Sequence, residues 1–211
     1  ALDFIEKKHD IIFIAEYLKA VRELCDKNDI MLLFDEVQCG MGRTGSFFAW
    51  QSFGVEPDAL SMAKALGNGY PIGAMVAKRK YSQVLTPGTH ASTFGGTALA
   101  SAAACAVIDA IDNEKVLDNV VKQSKVLMDG IAELSKKYPC IQGVRGKGLM
   151  VGAVLDQPAG KVLSILRGKG MIALSAGENV LRLVPPLNVS GDECRKALEL
   201  IDSAFAELCS K

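Results

Sequence analysis

The chain has 211 residues, 49% of them hydrophobic, enough to bury one good core, or one core plus a small appended lobe. Its 24 Lys+Arg balance 24 Asp+Glu for a net charge of +0, which gives no footing for nucleic acid or an anionic membrane as partner and points to a small ligand. Six scattered cysteines without a CxxC pair, with His9 and His90 as the sole imidazoles, argue against a structural zinc site and for a reducing, cytoplasmic setting.

Along the chain, Phe4–Lys8 and Ile11–Ile14 each look like part of an element that has lost its neighbour. From Ala15 the spacing of Leu18, Val21, Leu24 and Cys25 predicts an amphipathic helix that ends at Asn28-Asp29. Ile30 to Phe34, apolar on both alternating faces, reads as a buried parallel strand. It stops abruptly at Asp35-Glu36, and a glycine-rich loop, Gln38 to Gly45, follows. A short aromatic segment and the turn chemistry of Val55 to Asp58 lead into a second apolar run, Ala59 to Ala63, which stops at Lys64. After the loop Gly67 to Pro71, Ile72 to Ala77 is expected to return antiparallel, because the connection is too short for a crossover helix.

Thr86 to Gly96 is polar and rich in glycine, and runs into an alanine-dense helix, Ala98 to Ile111. A longer amphipathic helix follows from Val116 and ends near Lys136-Lys137-Tyr138-Pro139, with lysines in its last turn and proline just beyond. From Cys140 the pattern becomes α+β: strands at Leu149–Leu155 and Asn179–Val184, a helix at Val162–Lys169 closed by Gly170, and a final helix behind the capping box Ser190 to Glu193. The expected division is therefore residues 1–113 and residues 114–211.

Two charges stand out because each ends an apolar strand. In open α/β sheets ligands bind at the carboxyl ends of strands, so Asp35 and Lys64 suggest paired roles on one ligand. A partly desolvated lysine loses its proton more readily and is a candidate Schiff-base nucleophile, while an acid at a neighbouring strand end could keep a ring nitrogen protonated. Taken singly, Asp35 is as well explained as a turn acid and Lys64 as a solvated lysine. Gln38 could donate to a phenolate oxygen, or be an ordinary surface residue. Ser92-Thr93 ahead of Gly95-Gly96 suits a phosphate near a helix start, or is a plain N-cap. Arg182, a cation inside an apolar strand, belongs either to a structural ion pair or to a substrate acid. Gly40 to Gly45 spells GxGxxG, but the first glycine does not directly follow the strand and two carboxylates precede it, so dinucleotide binding is set aside.

Leu33-Phe34-Asp35-Glu36-Val37-Gln38 with Gly42-Arg43-Thr44-Gly45, Ala63 to Gly67 with Tyr70 to Ala74, Ser92 to Gly96, and Arg182 with Pro185-Pro186 resemble the class III, fold type I pyridoxal-phosphate aminotransferases. The resemblance runs from Tyr17 to Phe205. It implies an α/β fold: part of the large cofactor-binding domain with a mainly parallel sheet, followed by a small α+β domain. It further implies that Lys64 is the catalytic residue, that Asp35 pairs with the ring nitrogen of pyridoxal 5′-phosphate and Gln38 with its hydroxyl, and that Glu36, Val37 and Thr93 also line the cofactor. Ser92 and Arg182 would meet the substrate, with Ser92 and Thr93 reaching the neighbouring site of a homodimer. The implied reaction uses acetylornithine and 2-oxoglutarate; ornithine, succinylornithine and 4-aminobutyrate stay open as donors, as does a non-catalytic piece that folds or dimerises without cofactor. The family pattern ahead of Tyr17 includes a glycine-rich phosphate loop, an aromatic stacked on the ring and an arginine for the distal end of the substrate. None is in this sequence, so the chain is expected to be the C-terminal portion of a longer protein.

Overall fold

The computed structural model describes residues 11–209; Phe4–Lys8 and His9 lie outside the described residues. The chain divides into two compact units, one running to Gly42 and resuming over Ser46–Lys115, the other made of Arg43–Gly45 and Val116 onward. The sequence boundary at residue 113 lacks this three-residue exchange, which no composition shift announces.

In the first unit, helix α1 (Ile11–Lys27) leads to strand β1 (Leu33–Asp35), which pairs in parallel with β2 (Ala59–Met62). Strand β3 (Ala74–Ala77) returns antiparallel on the other side of β2, as the short connection requires. A one-turn helix α2 (Arg79–Ser82) and the alanine-rich α3 (Ala98–Asn113) complete it. Leu18 and Val21 pack with Cys25 against Leu32 and Val55, so the apolar face of α1 is used much as its spacing predicts. Leu24 is the exception, 59% exposed, because it lies off the stripe formed by Leu18, Val21 and Cys25. The expected buried strand also differs: Ile30, Met31 and Leu33 are exposed, since β1 has β2 on one side and no described strand on the other.

The second unit is an α+β layer. Helix α4 (Val116–Lys137) packs on an antiparallel sheet of β4 (Ile141–Lys147), β5 (Met150–Leu155), β6 (Leu174–Ser175) and β7 (Val180–Leu183), in the order β4-β5-β7-β6, and helix α6 (Gly191–Cys209) packs on α4. Helix α5 (Gly160–Gly168) packs beside α6. The core includes Val120, Leu127 and Ile131 from α4, Val151 and Leu181 from the sheet, and Ile201 and Phe205 from α6. Phe205 stacks on Tyr138 with ring centroids 5.7 Å apart; burying such a side chain is worth about 1.5–3 kcal/mol. The capping box at α6 is formed: the Glu193 carboxylate accepts from the Ser190 N–H at 2.8 Å, and Ser190 Oγ accepts from the Glu193 N–H at 3.2 Å. Among the described residues no helix is long and apolar enough to cross a membrane, and no cluster of His, Cys, Asp and Glu could hold a metal ion.

Candidate active site

Parallel pairing decides the site. Leu33 lies opposite Ala59 and Asp35 opposite Ser61, so the carboxyl ends of β1 and β2 open on the same edge of the sheet. Asp35 closes β1 there, and Lys64 follows two residues after β2. The Glu36 N–H donates to Ser61 O at 2.9 Å and extends the ladder to this edge.

Asp35 is exposed, and its accepted bonds fall on one oxygen. Oδ1 takes the Val37 N–H at 2.9 Å and the Ser61 hydroxyl at 3.5 Å. Among the described residues Oδ2 carries no hydrogen bond, so the carboxylate is held by one oxygen and offers the other. Val37 is half-buried through this turn, and Gln38 follows it, exposed.

Glu36, expected to line the cofactor, is engaged by the protein itself. It is 2% exposed, and both carboxylate oxygens are occupied by protein donors: Oε2 accepts from the Ala49 N–H at 2.8 Å and Oε1 from the Trp50 N–H at 2.9 Å. It therefore caps the 3-10 turn Ala49–Ser52, whose free N–H groups favour a negative charge. Successive residues leaving a strand point to opposite sides, which explains how two adjacent acids take opposite tasks. The Cys39 thiol also donates to Glu36 Oε2, and burial, reinforced by the charge of Glu36, pushes that thiol up to about 12. The GxGxxG glycines build a turn, with Gly42 and Gly45 at φ 87° and 90°, and no helix opens at Gly45.

Lys64 sits at φ 46°, the left-handed region that a lysine seldom adopts, and starts a 3-10 turn, Lys64–Leu66. Such strain at a strand end is a recurring mark of functional sites. Its side chain is exposed and, among the described residues, makes no hydrogen bond or ion pair, so the amine is not committed to a structural acid. Gly67 fixes the loop behind it: a Cβ there would stand 2.1 Å from Tyr70 O and 2.7 Å from Ile72 Cγ2. Helix α3 packs against the Lys64 turn. Its N-cap is Thr97, whose hydroxyl accepts from the Ala100 N–H, so the capping alternative for Ser92-Thr93 falls away. Both are exposed, beside Phe94 at 87% exposure.

In the second unit Arg182 is half-buried on β7, opposite Gly152 on β5 and Leu174 on β6. It lines a cleft of about 320 Å³ whose other walls include Leu174, Val184, Pro185 and Pro186. Sequence reasoning missed what holds the exit of this strand. Arg43 donates from Nη1 to Leu149 O at 3.0 Å and to Pro185 O at 2.6 Å, and Asn119 donates to Leu187 O and Val189 O at 2.8 and 3.0 Å. Burial, and then the neighbouring charge of Arg182, hold the Arg43 guanidinium below its usual pKa. The charges of Arg43 and Arg182 thus act on one another, with Arg182 on the wall of an apolar cleft.

Comparison with known proteins gives the family. The family model described as aminotransferase class-III matches residues 10–205. An acetylornithine aminotransferase of Clostridium acetobutylicum is 46% identical over 191 residues, 90% of this chain and 49% of that protein, and one of Methanocaldococcus jannaschii is 44% identical over 193 residues, 92% and 48%. Among solved structures, N-acetylornithine aminotransferase of Stenotrophomonas maltophilia superposes with a TM-score of 0.83 at 41% identity, covering 92% of this chain and 51% of that one. An ornithine aminotransferase of Toxoplasma gondii gives 0.87 at 34% identity, covering 92% and 47%. The chain spans about half the length of the curated relatives it matches. With Asp35 and Lys64 on one sheet edge and this match along almost its whole length, the chain belongs to the class III aminotransferases.

Proposed function

We propose that this chain carries the cofactor-directed half of an aminotransferase that passes the amino group of N-acetylornithine to 2-oxoglutarate, giving N-acetylglutamate semialdehyde and glutamate. The observation that carries the reading is the delivery of an uncommitted amine and a half-committed carboxylate to one edge by the parallel pair β1 and β2. That donor set suits pyridoxal 5′-phosphate, which supplies an aldehyde that captures amines and a ring that draws off electrons from a deprotonated carbon. Asp35 would face the ring nitrogen with Oδ2 and hold its proton there. Gln38 would donate to the ring hydroxyl. Lys64 would hold the cofactor between turnovers and, once displaced by the substrate, move the proton at the substrate Cα. Thr93 and Ser92 would contact the phosphate or substrate of a partner copy in a homodimer, a reading supported by their exposure beside the exposed ring of Phe94. Arg182 would hold the substrate α-carboxylate, supported by its place on the apolar cleft with Arg43 behind it. Glu36 would support the cofactor edge from behind, its carboxylate taken up by the Ala49 and Trp50 N–H groups. The six scattered thiols support a cytoplasmic setting, and the similarity to acetylornithine aminotransferases supports a place in arginine biosynthesis.

The test is to add cofactor to the 211-residue chain, fix it with borohydride and map the labelled peptide. Label on Lys64, with a visible absorbance band that Lys64→Ala removes, is the expected result. Label spread over other lysines, or a band unchanged in Lys64→Ala, would overturn the assignment. Donor identity is read by offering N-acetylornithine, ornithine, succinylornithine and 4-aminobutyrate side by side.

A further inference from the structure

Cys140 and Cys209 stand with their sulfurs 3.8 Å apart, and no other two of the six thiols come within contact. Cys140 is buried, held where the chain enters β4 by the bond from the Asp156 N–H to its carbonyl at 3.0 Å. Cys209 is the last residue of α6 and is exposed. An open thiol beside a sheltered one is the arrangement of an attacking and a resolving cysteine.

We propose that Cys140 and Cys209 are an oxidation site for small-molecule disulfides, closing into a bridge that pins the last turn of α6 to the start of β4. The Cys209 thiolate attacks one sulfur of the disulfide RSSR, forming a mixed disulfide and releasing RS⁻. The Cys140 thiolate then attacks the Cys209 sulfur and releases the second RS⁻. Two protein thiols and RSSR become one protein disulfide and two RSH, so the protein is oxidised and the small disulfide reduced. The sulfurs must approach to about 2.05 Å, a gap that rotation of the exposed Cys209 side chain in a terminal helical turn can close. In the reduced pair, burial, then the neighbouring Cys209 thiol and the charge of Asp156, push the Cys140 thiol up to about 11, which fits Cys140 as the resolving and not the first attacking thiol.

The other thiols do not compete for this chemistry. Cys25 and Cys194 are buried, and Cys39 is held protonated beside Glu36. Cys105 is exposed but has no thiol beside it, so it stops at the mixed disulfide. The bridge would close a loop of about 70 residues that contains the whole sheet of the second unit, including the strand that bears Arg182.

The experiment treats the 211-residue chain with oxidised glutathione and maps its peptides without reduction. Expected are a linked Cys140–Cys209 peptide and a urea midpoint for the second unit, followed by far-UV circular dichroism, that rises by about 1–2 M and falls back with dithiothreitol. Cys209→Ser should lose the link and the shift while keeping the midpoint of the reduced parent. Cys140→Ser should leave glutathione trapped on Cys209. Persistent glutathione adducts on Cys209 of the parent without the linked peptide, or a bridge between other cysteines, would overturn the proposal, and neither depends on whether the chain binds cofactor.

Discussion

Asp58 is the residue on which the first unit's stability should turn, and sequence reading passed it over as part of a turn. It is 7% exposed, and its Oδ2 accepts from the Leu32 N–H at 2.9 Å and from Arg22 Nη1 at 2.8 Å. Lys78 Nζ lies 3.4 Å from Oδ1. Main-chain bonds from the Asp58 N–H to Leu32 O and from the Lys78 N–H to Asp58 O, both 2.8 Å, run alongside. The residue therefore ties α1, the approach to β1 and the exit of β3 together. Asp58→Ala strands the Leu32 N–H and leaves the Arg22 cation with Asp26 as its remaining carboxylate partner, 2.7 Å from Nη2. Each bond to the charged group is worth about 1.5–3 kcal/mol, the half-exposed lysine adds little, and breaking such a buried pair costs about 3–5 kcal/mol in all.

The assay is urea unfolding followed by fluorescence, because Trp50 is the single tryptophan and lies in the same unit. With a slope near 2 kcal/mol/M the midpoint should fall by about 2 M, and Asp58→Asn, which keeps an acceptor for Leu32 but no charge, by about 1 M. Burial alone would raise the Asp58 pKa, yet the bonds from Leu32, Arg22 and Lys78 outweigh it and leave the carboxyl below its usual value. A depressed folded pKa means the contribution is present above the unfolded value, about 3.9, and is lost as pH falls through the folded one. The parent should thus lose stability on acidification below about pH 4, and Asp58→Asn should lose less. A midpoint for Asp58→Ala within about 0.3 M of the parent, or equal acid sensitivity in parent and Asn variant, would refute the reasoning.

Glu36→Gln removes a charge from two N–H donors at the Ala49 turn and should cost about 1.5–3 kcal/mol, read as a lower urea midpoint in Trp50 emission, while cofactor added to the folded variant should still label Lys64. Gly67→Ala forces a Cβ against the Tyr70 carbonyl; it should displace the Lys64 loop and slow borohydride-fixed labelling of Lys64 more than it lowers the midpoint. Phe205→Ala should cost about 3–5 kcal/mol in the second unit, seen in circular dichroism, with the Trp50 transition changed far less. Arg43→Lys keeps a charge but cannot bond Leu149 O and Pro185 O together, so it should lower the circular dichroism midpoint by about 1–2 kcal/mol equivalent.

Helices were readable because their signals are local and repeated. The stripe on α4, the capping box at Ser190 and the alanines of α3 each fix an element within a few residues of its observed ends. Strand β4 was missed because Gly143, Arg145, Gly146 and Lys147 interrupt any alternation; its pairing with β5 supplies the order that its own residues do not. Strand β6, two residues long, has no period to detect. For the candidate site, the break from apolar to charged singles out Asp35 and Lys64, while the bonds of Asp58, Arg43 and Asn119 have no such sign. Those three bond groups 26 to 142 positions away along the chain, and a partner at that separation leaves no mark in a local window.

The adjacent acids Asp35 and Glu36 show what pattern alone cannot assign. A sequence window sees two carboxylates at one strand end and gives both to the ligand. The fold separates them by the pleat: one side chain turns toward the Ala49 turn, whose open N–H groups need an acceptor, and the other stays at the sheet edge beside Ser61. Meeting the needs of the turn with Glu36 is what leaves Asp35 Oδ2 unengaged. The structural acid and the proposed cofactor acid are thus consequences of one another, so exchanging the pair, Asp for Glu at both positions, should damage both. The shorter residue at 36 would reach the Ala49 and Trp50 N–H groups poorly, and the longer one at 35 would lose the tight bond to the Val37 N–H that orients its carboxylate. A double exchange that keeps the parent's urea midpoint and its labelling of Lys64 would show that chain length at these positions is immaterial, and would break the link between the two roles.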